Sequence, residues 1–462
     1  MNTRILRIEL KRSVAPWAGV AVLTMTLALL YLVFDEDVPT VTGWTEQWTS
    51  MALETRRLLN FVWPLTAGLG ALQGLRDHRS RASELFASTP RPTSHRAAVL
   101  SAAMAISLAA AFAAVVLVGG VQVLANTSYT HLGWLPISLV GALTAVSGAV
   151  LGMGVGRALP FLLTPPAVAV GMLVFTVLAD MSLTKVDAAT GIPGSEPNLF
   201  SLLSPTAQEA RDVLLTLSVP VHVGQTIWLC GMAATGFALL TAASLRNRLV
   251  ALAPVLAGAV IALLVLPSDP RQVYVVDKAA ARLVCDGPVC VTNTHQARLD
   301  DFASPAKDAL RMMSNALGDQ APVSIRENTE VWPDSSGPHW SRRTALFDFE
   351  DDGIAATKGE ELTRALIATS LVPRCSAYAG SVSSSDVSAQ SVAASWVLSE
   401  PEPHSSDMAY LSRDQQEEIR EVYRELTGLP RAEQRSRVTT MYLGAVACKG
   451  DPVAALGGGA SR

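Results

Sequence analysis

The chain has 462 residues, 50% of them hydrophobic and only 16% charged, with a mean hydropathy of +0.31 and a net charge of −4. A soluble protein of this size would carry about 25% charged residues, so a wholly soluble globular chain is excluded, and the mildly negative balance suggests no nucleic-acid partner. The shortfall is uneven: residues 1–267 hold 16 Lys/Arg and 13 Asp/Glu, net +3, whereas residues 268–462 hold 20 and 27, net −7. The expected fold is an α-helical polytopic membrane protein of about seven spans, followed by a C-terminal α+β domain long enough to fold by itself.

In chain order, residues 1–14 interleave Arg4, Arg7, Lys11 and Arg12 with Ile5, Leu6, Ile8 and Leu10. This pattern predicts an amphipathic helix lying in the inner membrane interface. A signal-peptide n-region is the rival reading, but the apolar run 17–34 is long and is followed by Asp35, Glu36 and Asp37 rather than a small-residue cleavage site. The transmembrane domain, 15–267, is predicted to cross at 17–34, 58–75, 97–125, 135–155, 161–179, 226–245 and 249–266, each near the roughly 20 residues a bilayer requires. Pro165 and Pro166 predict a kink or break in the fifth run, and residues 206–218 (TAQEARDVLLTLS) predict a short helix in the long loop before the sixth.

Between the second and third runs lies RDHRSRASELFASTPRPTSHR, residues 76–96, with five arginines against Asp77 and Glu84. Lys and Arg resist translocation, so this loop is expected inside. With that orientation the inner segments hold 12 basic residues against three acidic ones, and the outer segments hold Arg56, Arg57, Lys185 and Arg211 against ten acids. Seven spans starting inside place residues 268–462 outside the cell. No charge falls deep in a predicted span and no GxxxxGK[ST] loop occurs, so the chain carries no visible energy source of its own.

These pieces together resemble the membrane subunits of type-2 ABC exporters. The matching parts are residues 1–14, the loop RASELFASTPRPTSHR at 81–96, whose Glu84, Leu85 and Thr89-Pro90 fit that family's "E-L, small residues, T/S-P" pattern, and residues 206–218. The resemblance covers roughly residues 1–245, and the C-terminal part is similar to that of actinobacterial permease-like proteins. It implies a multi-pass plasma-membrane permease, likewise a dimer of permease chains, homo- or heteromeric, in contact with membrane lipids. It also implies that a cytoplasmic ATP-binding subunit docks on Arg81, Glu84, Leu85, Pro90 and Arg91. ATP hydrolysis would then occur in the partner, and the chain itself would be no enzyme and hold no cofactor. The seventh run and the C-terminal domain depart from the six-span pattern.

In 268–462, strands are predicted at 272–276, 281–285, 288–292, 321–331 and 344–349, with a turn at Asp286-Gly287, and helices at 296–317, 360–372, 389–398, 415–426 and 432–446. Ser381 to Ser388 reads as a flexible loop. Four of the five cysteines lie here. An even set outside the membrane suggests disulfides, with Cys285–Cys290 across a hairpin and Cys375–Cys448 as one of three possible pairings. A zinc site is disfavoured by the CxxxxC spacing and by the scatter of His295, His339 and His404, which read as surface residues. HExxH and GxSxG are absent, and Glu350-Asp351-Asp352 reads as a solvated turn rather than a calcium ligand set. The rival function is a membrane-anchored extracellular sensor or binding protein with no transport role.

Overall fold

A computed structural model describes residues 3–32, 44–45, 47–79, 93–127, 129–186, 193–208, 210–330, 340–349, 351–375, 384–404 and 411–457. The chain divides into two compact units, residues 1–276 and 277–462. The division falls after the strand Tyr274–Val276, which pairs back into the first unit.

The first unit begins with α1 (Thr3–Arg12) and α2 (Ala15–Leu32). Helix α3 (Trp48–Arg57) joins α4 (Leu59–Arg79) at a 48° bend. Then come α5 (Thr93–Asn126), α6 (Trp134–Ala158), α7 (Thr164–Met181) and the short α8 (Leu199–Leu203). Helix α9 (Val219–Thr241) is followed by α10 (Leu245–Val250) and α11 (Ala253–Val265). Among the described residues, six helical stretches are long and apolar enough to cross a membrane, or seven if the bent α3–α4 pair is one span. This marks a membrane-embedded, mostly helical protein. Helix α5, at about 51 Å, is longer than a hydrocarbon core of about 30 Å.

Close backbone approach holds the bundle together. Helix α6 packs against α4 and α9. A methyl group at Gly152 would overlap the Ala67 carbonyl, and one at Gly70 would overlap that of Ala149. On the other side, Gly154 and Gly236 meet backbone to backbone. Without a hydrophobic force to drive helices together in lipid, dispersion between closely seated backbones does that work, and only glycine permits it.

Two expectations for this unit are corrected. Pro165 and Pro166 do not kink a helix: they occupy the first turn of α7, where a missing N–H costs nothing, and the chain before them turns. Residues 206–218 do not form a helix either. Asn198 caps α8 with a capping box, Pro205 follows its end, and strand β3 (Leu215–Leu217) pairs antiparallel with β4 (Tyr274–Val276). Of the apolar residues that suggested a helical face, Ala207, Leu214 and Leu217 are still buried, and Ala210 and Val213 are half-buried. Tertiary pairing supplies the backbone hydrogen bonds a helix would have made. A further antiparallel pair, β1 (Thr184–Val186) with β2 (Pro193–Ser195), follows α7.

The second unit is built on a four-stranded sheet in the order β5 (Leu283–Asp286), β6 (Val289–Thr292), β7 (Ser324–Glu327), β8 (Thr344–Phe347). The β5–β6 hairpin is antiparallel and turns at Gly287, whose φ of +64° suits a residue without a side chain. Strands β6, β7 and β8 run parallel, with α12 (Leu299–Leu317) crossing between β6 and β7. The amphipathic face of α12 buries Phe302, Ala306, Leu310 and Met313. Phe302 stacks on Phe347 with ring centroids 4.4 Å apart.

Helices α13 (Asp352–Ala355), α14 (Gly359–Leu371), α15 (Ser384–Leu398), α16 (Arg413–Thr427), α17 (Arg431–Val446) and α18 (Pro452–Gly457) complete the core. It contains Leu366, Ile367, Leu371, Trp396, Tyr423 and Tyr442. Buried polar tips find partners: Trp396 Nε1 donates to Gln434 Oε1 at 2.8 Å, and the Tyr442 hydroxyl donates to the Arg342 carbonyl at 2.7 Å. Burial pushes the Tyr442 hydroxyl up to about 12. Residues 384–388, expected as loop, form the first turns of α15, where Val387 and Ser388 are buried.

Candidate functional site

The sequence nominated Arg81, Glu84, Leu85, Pro90 and Arg91, and these lie outside the described residues. The frame around them is described. Helix α4 ends at Arg79 and α5 begins at Thr93, so the basic segment connects these two helices. Helix α1 packs against α5. Arg76 near the end of α4 approaches Glu9 of α1, Nη1 to Oε2 3.8 Å. Arg76 is about half exposed, so this pair contributes at most about 1 kcal/mol. It nevertheless places the amphipathic helix beside the start of the basic segment.

The nominated cysteines pair as Cys285–Cys290 and Cys375–Cys448, with sulfur–sulfur distances of 2.09 and 2.12 Å. Cys285 and Cys290 face each other in register across the β5–β6 hairpin. The second bridge ties the segment after α14 to the residue beyond α17. Cys230, in α9, is a free thiol.

Sequence reasoning missed the most buried charge among the described residues. Arg56 falls in a segment expected on the outer side of the membrane, and it is wholly enclosed at the end of α3. Its Nε donates to the Pro205 carbonyl at 2.5 Å, and its Nη2 donates to Gln208 Oε1 at 2.7 Å and Gln225 Oε1 at 2.5 Å. Gln225 Nε2 donates in turn to the Leu202 carbonyl and to Gln208 Oε1, both at 2.9 Å. Gln208 Nε2 closes the network on the carbonyls of Ser201 and Ser204. One guanidinium thus joins the bent α3–α4 pair, the α8 segment and α9. The signal was present in the sequence, as an Arg-Arg pair against an apolar run with glutamines at 208 and 225, but nothing local ties those positions together.

His295 is not a surface residue. Its Nδ1 lies 2.6 Å from Glu327 Oε1, and Glu327 Oε2 accepts the Thr292 N–H at 2.6 Å. Both side chains are largely buried, and the imidazole packs on Phe349 with centroids 4.7 Å apart. A cleft in the second unit lies between α14 and α15. On its walls Arg374 pairs with Asp351 at 3.0 Å, and Arg364 donates from both terminal guanidinium nitrogens, Nη1 and Nη2, to the Glu400 carboxylate. Asp351 also accepts the Gly353 N–H, so it serves the turn and the ion pair. Among the described residues no group of three or more His, Cys, Asp or Glu is placed to hold a metal ion.

No family model, curated protein or solved structure matches the chain. The fold therefore defines a class: a membrane-embedded helical bundle carrying a separate C-terminal unit of helices on a four-stranded sheet.

Proposed function

We propose that the chain is the permease subunit of an ABC-type transporter, moving an unidentified substrate across the plasma membrane with energy from a separate cytoplasmic ATPase. The N-terminus is cytoplasmic and the C-terminal unit extracellular in this reading. The observation that supports it best is the seating of α1 against α5 and beside the end of α4, where residues 80–92 connect two membrane helices. A motion imposed on that connection would pass to α4, through its glycine contacts to α6, and from α6 through Gly154 and Gly236 to α9. The excess of arginine over acid in residues 76–96 supports a cytoplasmic position for it.

Copurification with an ATP-binding subunit tests this reading. Glu84→Lys should abolish the copurification in a protein that remains folded and membrane-inserted. A complex that survives replacement of the whole of 81–96 contradicts the reading.

The cleft between α14 and α15 favours the second reading, a sensor or binding protein anchored by its spans. That reading requires ligand binding that no ATPase influences.

A further inference from the structure

We propose that Arg56, with Ser218 at the start of α9, holds a small inorganic anion such as chloride. Arg56 is completely enclosed, and the three acceptors that take its Nε and Nη2 hydrogens are neutral amide oxygens. Its Nη1, with two further N–H groups, is enclosed with no hydrogen-bond partner. Among the described residues no carboxylate ion-pairs with it: Glu54, two residues away, pairs with Arg57 at 3.6 Å. A guanidinium removed from water without a counter-charge costs several kcal/mol, and amide oxygens offset its hydrogen bonds but not its charge.

The surroundings supply the rest of a site. Gln225, which binds Arg56, stands in the second turn of α9, and Ser218 and His222 precede it on the same helical face, at i, i+4 and i+7. Ser218 Oγ is likewise enclosed without a hydrogen-bond partner, while His222, whose ring hydrogen-bonds to the Leu217 backbone, lies close enough to Arg56 for their charges to interact. Ser218 is the residue before α9, and its hydroxyl makes no capping bond, so the positive end of a 23-residue helix is uncapped here. The Arg56 Nη1 hydrogens and the Ser218 hydroxyl are therefore left over, and the guanidinium charge is unbalanced. A water would take some of these bonds and leave the charge unbalanced. An anion takes them as acceptor and balances it. The atoms are closed to solvent, which favours a bare ion over a lipid headgroup.

The test uses the full-length protein purified in detergent. Its melting temperature is measured in sodium chloride and in sodium gluconate at matched ionic strength. Chloride should raise the midpoint by on the order of 3 °C, saturating with concentration, and Arg56→Gln should abolish the difference between the two salts. Because that variant may fold poorly, bromide soaked into crystals of the unaltered protein gives an independent reading: an anomalous peak is expected in contact with Arg56 Nη1. Equal melting in both salts, no bromide peak, a water alone or a lipid phosphate in that position would each overturn the proposal.

Discussion

The two units differ in what they turn outward. In 277–462 the inside is large and apolar, with Leu366, Trp396 and Tyr442 enclosed. In 1–276 large apolar side chains stand outward, Leu117 at 69% exposure and Leu264 at 81%, while Gly152, Thr144, Ser147 and Arg56 are within. Water drives leucine inward. Hydrocarbon does not, so there leucine can stand outward, and the inside has room for residues that let backbones touch or that bond to one another beside buried apolar ones such as Trp63 and Leu108. An exposed leucine thus reports the surrounding solvent before it reports stability.

That contrast can be broken most severely at glycine. Gly152→Leu drives a side chain into the Ala67 backbone and should cost more than about 3 kcal/mol, seen as loss of monodisperse protein in size-exclusion chromatography. Gly171→Leu, where nothing lies within 4 Å, should leave the yield unchanged.

The second unit should be most sensitive where it is stapled. Removing Cys375–Cys448, which spans 73 residues, should cost about 4 kcal/mol, against about 2 for the five-residue Cys285–Cys290 bridge, by denaturant unfolding with and without reductant. Leu366→Ala should cost about 3 kcal/mol in the same assay.

Gln225→Leu sharpens the contrast from the first unit. It removes an acceptor from Arg56, and a loss of about 2 kcal/mol is expected, read as a lower melting temperature.

The smallest effect is electrostatic. Burial, and then Asp451, holds the Asp386 carboxyl above the usual carboxylate range, and Arg374 partly offsets them. The neutral acid is favoured in the fold. Its contribution is complete below the free aspartate value of about 3.9 and is lost as pH rises through the higher folded-state value. Asp386→Asn should flatten that part of the melting-temperature profile.

Much of this architecture was legible because its signals are local. The apolar runs, the Asp286-Gly287 turn and the amphipathic face of 299–317 each lie within a few residues. Residues 206–218 misled because their helical spacing competes with a strand pairing to residues 274–276, some 60 positions away. Ser381 to Ser388 misled because composition speaks of loops, whereas burial against neighbouring helices recruits 384–388 into α15. Arg56 and the His295–Glu327 pair were invisible for the same reason: their partners lie 149–169 and 32 positions off. The nominated docking residues 81, 84, 85, 90 and 91 fall outside the described residues, so the sequence remains their only witness.

The proposed function depends above all on that segment facing the cytoplasm and the C-terminal unit lying outside the cell. In a Cys230→Ser background, Ser94→Cys and, separately, Glu402→Cys would be treated with a membrane-impermeant maleimide in intact cells and after lysis. The account predicts that Glu402→Cys labels in intact cells and Ser94→Cys only after lysis. Labelling of Ser94→Cys in intact cells would contradict it.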